Sequence, residues 1–398
     1  MLAWQRVRWM MLTRRQLAVL CVGLGTVFLY SEYVVYYIAI WQCSWPHLEL
    51  EGSATVGPQK GGNMIPSPHQ PIRVLFLADT HLLGSRLGHW FDRLRREWQM
   101  ERSFQTAVSV HQPHAVFLLG DLLDEGKWCS DKEFWEEYLV RSRSMFRHNA
   151  DLQFHVVVGN HDIGFHYDVT KQKLYRFEKA FNLSAVTIVT IQGNIFLLVN
   201  SVALDEDGCF MCAEAEAQLK DVSFSLNCSR GLVGEENEGE RQCKNSQKLP
   251  NTAPILLMHY PLYRKSDANC TGPDSAPDGE KFTTLKVRYD VASKSASQKL
   301  LWWLQPRLVL TAHTHHGCVV HHPDGTLEHT LPSFSWRNRN NPSFLMASIH
   351  PTGYTLSKCF LPKESSVIIL YIVSVLLLLS WTCLKVRQRR RVFISKQV

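Results

Sequence analysis

The sequence predicts an α/β domain with a membrane-length apolar helix at each end, on three observations. From Ile72 onward, apolar runs alternate with amphipathic stretches, the rhythm of a sheet flanked by helices. Seven side chains suited to metal, Asp79, His81, Asp121, Asn160, His259, His313 and His315, stand at or just after the ends of five apolar runs (Val74 to Ala78, Ala115 to Leu119, Phe154 to Val158, Pro254 to Met258, Leu308 to Ala312). Ligands of α/β sheets converge at that edge. Two further apolar segments, Leu17 to Ile40 and Val367 to Leu384, are each close to the roughly 20 residues that cross a hydrocarbon core.

In chain order, residues 1–16 form a basic tail, 17–41 a membrane helix and 42–70 a linker rich in Gly, Pro and Ser. Residues 71–362 form the folded domain, interrupted by insertions at about 204–250 and 266–297. Residues 366–384 form a second membrane helix and 385–398 a second basic tail. Arg6, Arg8, Arg14 and Arg15 crowd one end, and Lys385, Arg387, Arg389, Arg390, Arg391 and Lys396 the other. The positive-inside rule puts both tails in the cytosol and the large middle region across the membrane. A cleaved signal peptide is the alternative for the first segment, which is long and lacks an obvious small-residue cleavage site. Glu32 interrupts that segment and is expected near the interface or against a partner helix. The net charge of +7 becomes slightly negative without those ten residues (+7 − 10 = −3), so nucleic acid is not an expected partner.

Within the domain, Trp90, Leu94 and Trp98 at helical spacing read as core contacts of a first helix, and Trp302-Trp303 as buried packing. A second helical stretch runs through Phe134, Tyr138 and Phe146, and a third spans Tyr175 to Phe181. Val186 to Val202 reads as a hairpin turning at Gln192-Gly193-Asn194. The 204–250 insertion reads as acidic and irregular, with Gly234 to Lys248 disordered. Beyond His316, hairpins run to Phe360. Of eleven cysteines, Cys21 and Cys383 fall in the membrane segments; the others match no zinc ribbon, and several are expected to pair as disulfides. A redox role for Cys209-Phe-Met-Cys212 is disfavoured by its irregular setting. Sequons at Asn182, Asn227 and Asn269 agree with a lumenal domain.

The mixture of carboxylate, amide and imidazole suits Mn²⁺, Fe or Zn²⁺ better than Ca²⁺. Two ions about 3.5–4 Å apart need a shared carboxylate, and Asp121 is the natural bridge. Gly120 and Gly159 let the chain turn sharply before Asp121 and Asn160. Taken singly, Asp121 and Asn160 also read as helix caps, and the histidines as core or solvated residues; that reading does not account for the whole set.

The ordered segments Asp79-Thr-His81, Gly120-Asp121-Leu-Leu-Asp124, Gly159-Asn160-His161-Asp162, His259 and His313-Thr-His315 resemble the calcineurin-like metallophosphoesterase superfamily from Ile72 to about Phe360. The resemblance implies a four-layer β-sandwich flanked by helices. It implies two divalent ions, Mn²⁺ first and Fe or Zn²⁺ otherwise: Asp79, His81 and His315 on one, Asn160, His259 and His313 on the other, Asp121 between. It makes His161 a general acid oriented by Asp124, against a purely positioning role as the alternative. Ala312 stands where the family has glycine, tolerable unless its φ is positive.

The two anchors and the segment Pro332 to Phe344 narrow the resemblance to members that remodel glycosylphosphatidylinositol (GPI) anchors. That implies removal of an ethanolamine-phosphate branch from a mannose of the GPI glycan. It also implies residence in the early secretory pathway (ER exit sites, ER–Golgi intermediate compartment, Golgi), with GPI-anchored proteins, the bilayer and transport receptors as partners. Trp336, Arg337 and Arg339 are candidate phosphate or sugar contacts. The alternatives are a lumenal esterase of nucleotides or other soluble phosphoesters, and a non-catalytic cargo-receptor scaffold; the intact donor set speaks against the scaffold.

Overall fold

The donor-bearing strand ends belong to two sheets. The computed structural model describes residues 13–49, 70–129, 132–233 and 243–395. Arg6, Arg8, Lys396, most of the 42–70 linker and the greater part of the Gly234 to Lys248 stretch lie outside them. The strands are β1 (Ile72–Leu77), β2 (Ala115–Leu119), β3 (Gln153–Val157), β4 (Val186–Ile191), β5 (Asn194–Val199) and β6 (Ile255–Met258), followed by β7 (Leu308–Thr311), β8 (Cys318–His321), β9 (Leu327–Thr330), β10 (Ser343–His350) and β11 (Gly353–Phe360). One sheet has the order β11-β10-β1-β2-β3 and the other β4-β5-β6-β7-β9-β8.

In each sheet the central strands are parallel: β1-β2-β3 in the first and β5-β6-β7-β9 in the second. Apart from β9 and the first half of β3, their sequences are near-continuous apolar runs because both faces are covered. The inner faces share one core containing Val74, Phe76 and Phe117 of the first sheet and Phe196, Leu198 and Leu257 of the second. Phe117 stacks on Phe196 across the interface at 4.7 Å between ring centroids. Each such fully buried side chain contributes about 1.5–3 kcal/mol. The turn between β4 and β5 is Gln192-Gly193, both at positive φ, as a two-residue hairpin requires.

Helices cover the outer faces, which makes the fold a four-layer α/β sandwich. Numbered along the described chain, the helices of this unit are α3 (Trp90–His111), α4 (Lys132–Met145), α5 (Asn160–Ile163), α6 (Lys171–Phe181), α7 (Phe210–Ser229), α8 (Asp278–Lys281) and α9 (Lys294–Leu304), while α1 (Arg14–Leu29), α2 (Val35–Trp41) and α10 (Glu364–Ser395) belong to the chain ends. Three expectations need correction. Trp90 and Leu94 are exposed, because α3 buries the later stripe Met100, Phe104, Ala107. Trp302 is exposed as well, since Leu300 and Leu304 form the inward face of α9. The 204–250 insertion is not irregular throughout: Met211, Ala215, Leu219, Val222 and Leu226 recur at helical spacing and bury one face of α7.

Cystine bridges join Cys43 to Cys359, Cys228 to Cys243 and Cys270 to Cys318. The unit Cys43–Phe360 is distinct from a second unit built from the two chain ends. In that second unit, Arg14–Trp41 and Glu364–Val392 are long and apolar enough to cross a membrane. A capping box between Thr13 and Gln16 starts the first helix, and a widened turn at Tyr30–Val34 interrupts it. Glu32, in that turn, accepts a hydrogen bond from the Tyr371 hydroxyl at 2.6 Å, so the apolar span carries its carboxylate against a polar partner.

Candidate metal centre

The strands stop abruptly here because the chain leaves each at an unusual backbone angle. Eleven non-glycine residues have positive φ among the described residues, and five of them are Asp79, His81, Asp121, His313 and His315. Each such position costs on the order of 1–3 kcal/mol and persists only where the surroundings dictate it. Two glycines make room. A Cβ on Gly120 (φ +83°) would lie 2.4 Å from His259 Nδ1, and one on Gly159 would lie 2.2 Å from Asp121 Oδ1. Ala312 is absent from the positive-φ residues, so its methyl group sits without backbone strain.

The side chains that leave these turns meet in three overlapping groups. Asp79, His81 and His315 form one, Asp121, His259 and His313 a second, and His81, Asp121 and His161 a third, each with ligand-type atoms within 4.8 Å of one another. Asn160 joins the second group, its Oδ1 lying 3.2 Å from His259 Nε2. Asp79, Asp121, Asn160 and His259 are almost completely buried.

Hydrogen bonds fix how three of the histidines face. The carbonyls of Leu119 and Tyr289 only accept, so His259 Nδ1 (2.8 Å) and His313 Nε2 (2.7 Å) are the N–H donors. His81 Nδ1 donates to Asp124 Oδ1 at 2.9 Å. When these rings are neutral, as metal ligation requires, their inward nitrogens present lone pairs. His81 Nε2 lies 3.0 Å from His315 Nε2, and His259 Nε2 lies 3.2 Å from both His313 Nδ1 and Asp121 Oδ2. Both oxygens of Asp79 and Oδ2 of Asp121 are buried without a hydrogen-bond donor. Acceptors crowded onto acceptors are stable only around positive charge. The residues present thus fit divalent cations.

Electrostatics say the same. Burial pushes the Asp79 carboxyl up to about 8. Burial also opposes charge on His259, but the neighbouring Asp121 outweighs it and lifts the imidazole to about 9. His313 is depressed to about 3, by burial and then by His259. Asp124 resists its burial: hydrogen bonds from His161 and His81, with Arg337 nearby, hold its carboxyl well below the usual range.

His161 occupies the open side. Its backbone N–H donates to Asp121 Oδ1 (2.7 Å) and its ring Nδ1 to the Asp124 carbonyl (2.9 Å), which leaves Nε2 free. The Asp124 carboxylate lies nearer His81 than His161, at 2.9 Å against 3.5 Å, so it braces both rings rather than His161 alone. Of the candidate substrate contacts, Arg337 Nη2 is 3.5 Å from Asp124 Oδ2, and Arg339 Nη1 donates to the His315 carbonyl at 3.1 Å. Trp336 requires correction. It is 4% exposed and lies beneath the Arg95 guanidinium, which leaves its ring closed to a substrate. A cleft of about 590 Å³ adjoins the centre, lined by Gly272, Pro273, His316, Asn338, Arg339 and Asn341 among others.

Sequence reasoning assigned no role to Asp162. Its carboxylate accepts from Gly159 N (2.8 Å) and Leu123 N (2.9 Å) and so clamps the turns that carry Asn160 and Asp121 together. An acid three residues after a helix-capping glycine was the available signal. The Leu119 and Tyr289 carbonyls left no signal, because any residue type supplies them.

A two-sheet sandwich with donors from both sheets gathered at the strand ends defines a metal-dependent phosphoesterase of the calcineurin-like class. The chain belongs to the calcineurin-like phosphoesterase family, whose pattern matches residues 72–317. Among curated relatives, the protein named metallophosphoesterase 1 from Macaca fascicularis is 54% identical, over 87% of this chain and 83% of its own. Its namesakes from Danio rerio (50% identity; 92% of this chain, 91% of the relative) and Rattus norvegicus (48%; 94% and 91%) are similar over nearly their full lengths. A dimetal phosphatase from Danio rerio aligns over 74% of this chain and 100% of its own with a TM-score of 0.46 and 12% identity, a likeness too distant to add to the family assignment. The family implies a dinuclear divalent metal site.

Proposed function

We propose that this protein is a membrane-anchored lumenal phosphodiesterase that removes an ethanolamine-phosphate branch from a mannose of the GPI glycan, and so aids transport of GPI-anchored proteins from the ER to the Golgi. Asp79, His81 and His315 would hold one ion and Asn160, His259 and His313 the other, with Asp121 shared and Mn²⁺ the expected metal. When bound, the pair supplies Lewis acidity that activates water and neutralises phosphate oxygens. His161 faces the leaving oxygen, since its Nδ1 is tied to Asp124 and its Nε2 is the atom left to deliver a proton. Arg337 and Arg339 stand at the rim, placed to meet phosphate or sugar oxygens.

The observation that carries this reading is the cleft beside the centre. Its asparagines and Arg339 suit a hydroxyl-rich ligand, and its volume of about 590 Å³ exceeds what a lone phosphate needs. Two helices long and apolar enough to cross a membrane support this reading, since a tethered site would share its bilayer with GPI-anchored substrates. Three cystines and three sequons agree with an oxidising, lumenal compartment. Mass spectrometry of GPI glycans from cells lacking the protein is expected to reveal retained side-branch ethanolamine-phosphate. Glycans identical to the wild type would sink the substrate assignment and favour a soluble phosphoester instead.

A further inference from the structure

A second gathering of metal-type side chains lies outside the dinuclear centre. His166, in the loop after α5, meets Asp207, Cys209 and Cys212 at the start of α7, with ligand-type atoms all within 4.8 Å of one another. Cys209 caps α7, and the Cys212 amide donates to its sulfur at 3.0 Å. Asp207 Oδ1 accepts from the Cys209 amide (3.0 Å) while Oδ2 lies 2.8 Å from His166 Nε2. The Val202 carbonyl, 3.2 Å from His166 Nδ1, can only accept, so that nitrogen carries the hydrogen. His166 Nε2 then faces a carboxylate oxygen across a cation: a proton at the 2.8 Å seen, or a metal once the pair opens slightly.

We propose that these four side chains hold one zinc ion, separate from the two of the hydrolytic centre. Two sulfurs, an imidazole and a carboxylate make a donor set that selects zinc over Mn²⁺, whose preference is for oxygen. The set is closed, with four protein ligands and no position left for substrate, so the ion is structural. Although three cystines form elsewhere in the same unit, Cys209 and Cys212 remain as thiols. Zinc would keep them so in an oxidising compartment. The ion would tie the loop after α5 to the first turn of α7. That loop bears Phe165, whose ring stacks on Tyr289 at 4.5 Å, and the Tyr289 carbonyl orients His313. The site therefore braces one wall of the hydrolytic centre.

Cobalt substitution of the full-length protein in detergent tests this. Thiolate bound to Co²⁺ absorbs strongly in the near ultraviolet, whereas the hydrolytic centre has no sulfur donor and is silent there. The band is expected in the wild type, and the wild type should carry one more zinc per chain than Cys212→Ser or His166→Ala. The band should persist in Asp121→Ala and in Cys129→Ser, which removes a buried thiol outside the cluster. Three results would overturn the proposal: no band in the wild type, a band that survives both Cys209→Ser and Cys212→Ser, or a Cys209–Cys212 disulfide found by non-reducing peptide mapping. The last would make the pair a redox dithiol. A wild type without band or disulfide would leave His166 and Asp207 as an ion pair sharing a proton.

Discussion

The two donor clusters rest on opposite kinds of backbone. In the hydrolytic centre five of the seven candidate ligands have left-handed φ, whereas none of His166, Asp207, Cys209 and Cys212 does. The first set hangs from strand ends of two sheets that share a core, so the framework dictates each angle before any ion arrives. The second hangs from a loop and a helix start joined across no sheet; its ligands are themselves unstrained, and the left-handed angles fall on their neighbours Glu206 and Gly208. Strain is tolerated where packing over-determines the position. Where it does not, the ligand itself has to hold the pieces.

The largest test of that contrast is a pair of ligand variants. Asp121→Ala is expected to lower kcat by at least ~10³-fold, about 4 kcal/mol at the transition state, and to reduce bound metal. Cys212→Ser should leave turnover of an aryl phosphodiester within about tenfold of the wild type, the range of an outer positioning residue. Between them, His161→Ala should keep its metals and lose roughly 10²–10⁴ in kcat. Equal losses for Asp121→Ala and Cys212→Ser would erase the distinction between the centres. Retained turnover in His161→Ala would leave that ring a positioning role.

Glycines sharpen the comparison at the backbone. Gly120 and Gly208 both have positive φ, +83° and +74°, yet a Cβ at Gly120 would strike the His259 ring while one at Gly208 meets nothing within 4 Å. Gly208→Ala should therefore cost only the left-handed penalty, about 1–2 kcal/mol. Gly120→Ala adds a displaced metal-site histidine and should cost about 2–4 kcal/mol together with weaker metal retention. Thermal midpoints and metal content of both variants decide it. A Gly208 variant as damaging as the Gly120 one would mean that the second cluster is over-determined too.

The same contrast explains what the sequence disclosed. The Asp79, His81, Asp121 and Asn160 positions were legible because a polar donor ending an apolar strand is a local pattern, and Gly120 and Gly159 marked the turns. The strand order was not, since β1 pairs with β10 across more than half of the domain and no local feature encodes that. Asp162 and the carbonyls of Leu119 and Tyr289 act on the site through backbone geometry, which composition does not reveal. Trp90 and Trp302 misled for a related reason: helical spacing says which residues share a face, not which face meets the sheet. The cluster at Cys209 was hidden because its histidine comes from 43 residues earlier (209 − 166), outside any recognised ligand spacing.

The smallest expected effect concerns α7 and α6, the helix that follows the loop held by the second cluster. Glu178 on α6 and Glu214 on α7 repel one another; burial, then that repulsion, pushes the Glu178 carboxyl up to about 7. A raised folded-state pKa means that ionisation is penalised in the native protein. The stability is fully present below the ordinary carboxyl range and is lost as pH rises from there through 7. Glu178→Gln should therefore match the wild type near pH 4.5 and exceed it at pH 8. The carboxyl is about half exposed, so the gain is less than about 1 kcal/mol, roughly 2 °C in Tm. Removing zinc should enlarge the gap at pH 8, because the repulsion would then act on segments no longer held together. A gap that is the same at both pH values would place the repulsion elsewhere. A gap indifferent to metal would separate the helix junction from the cysteine cluster.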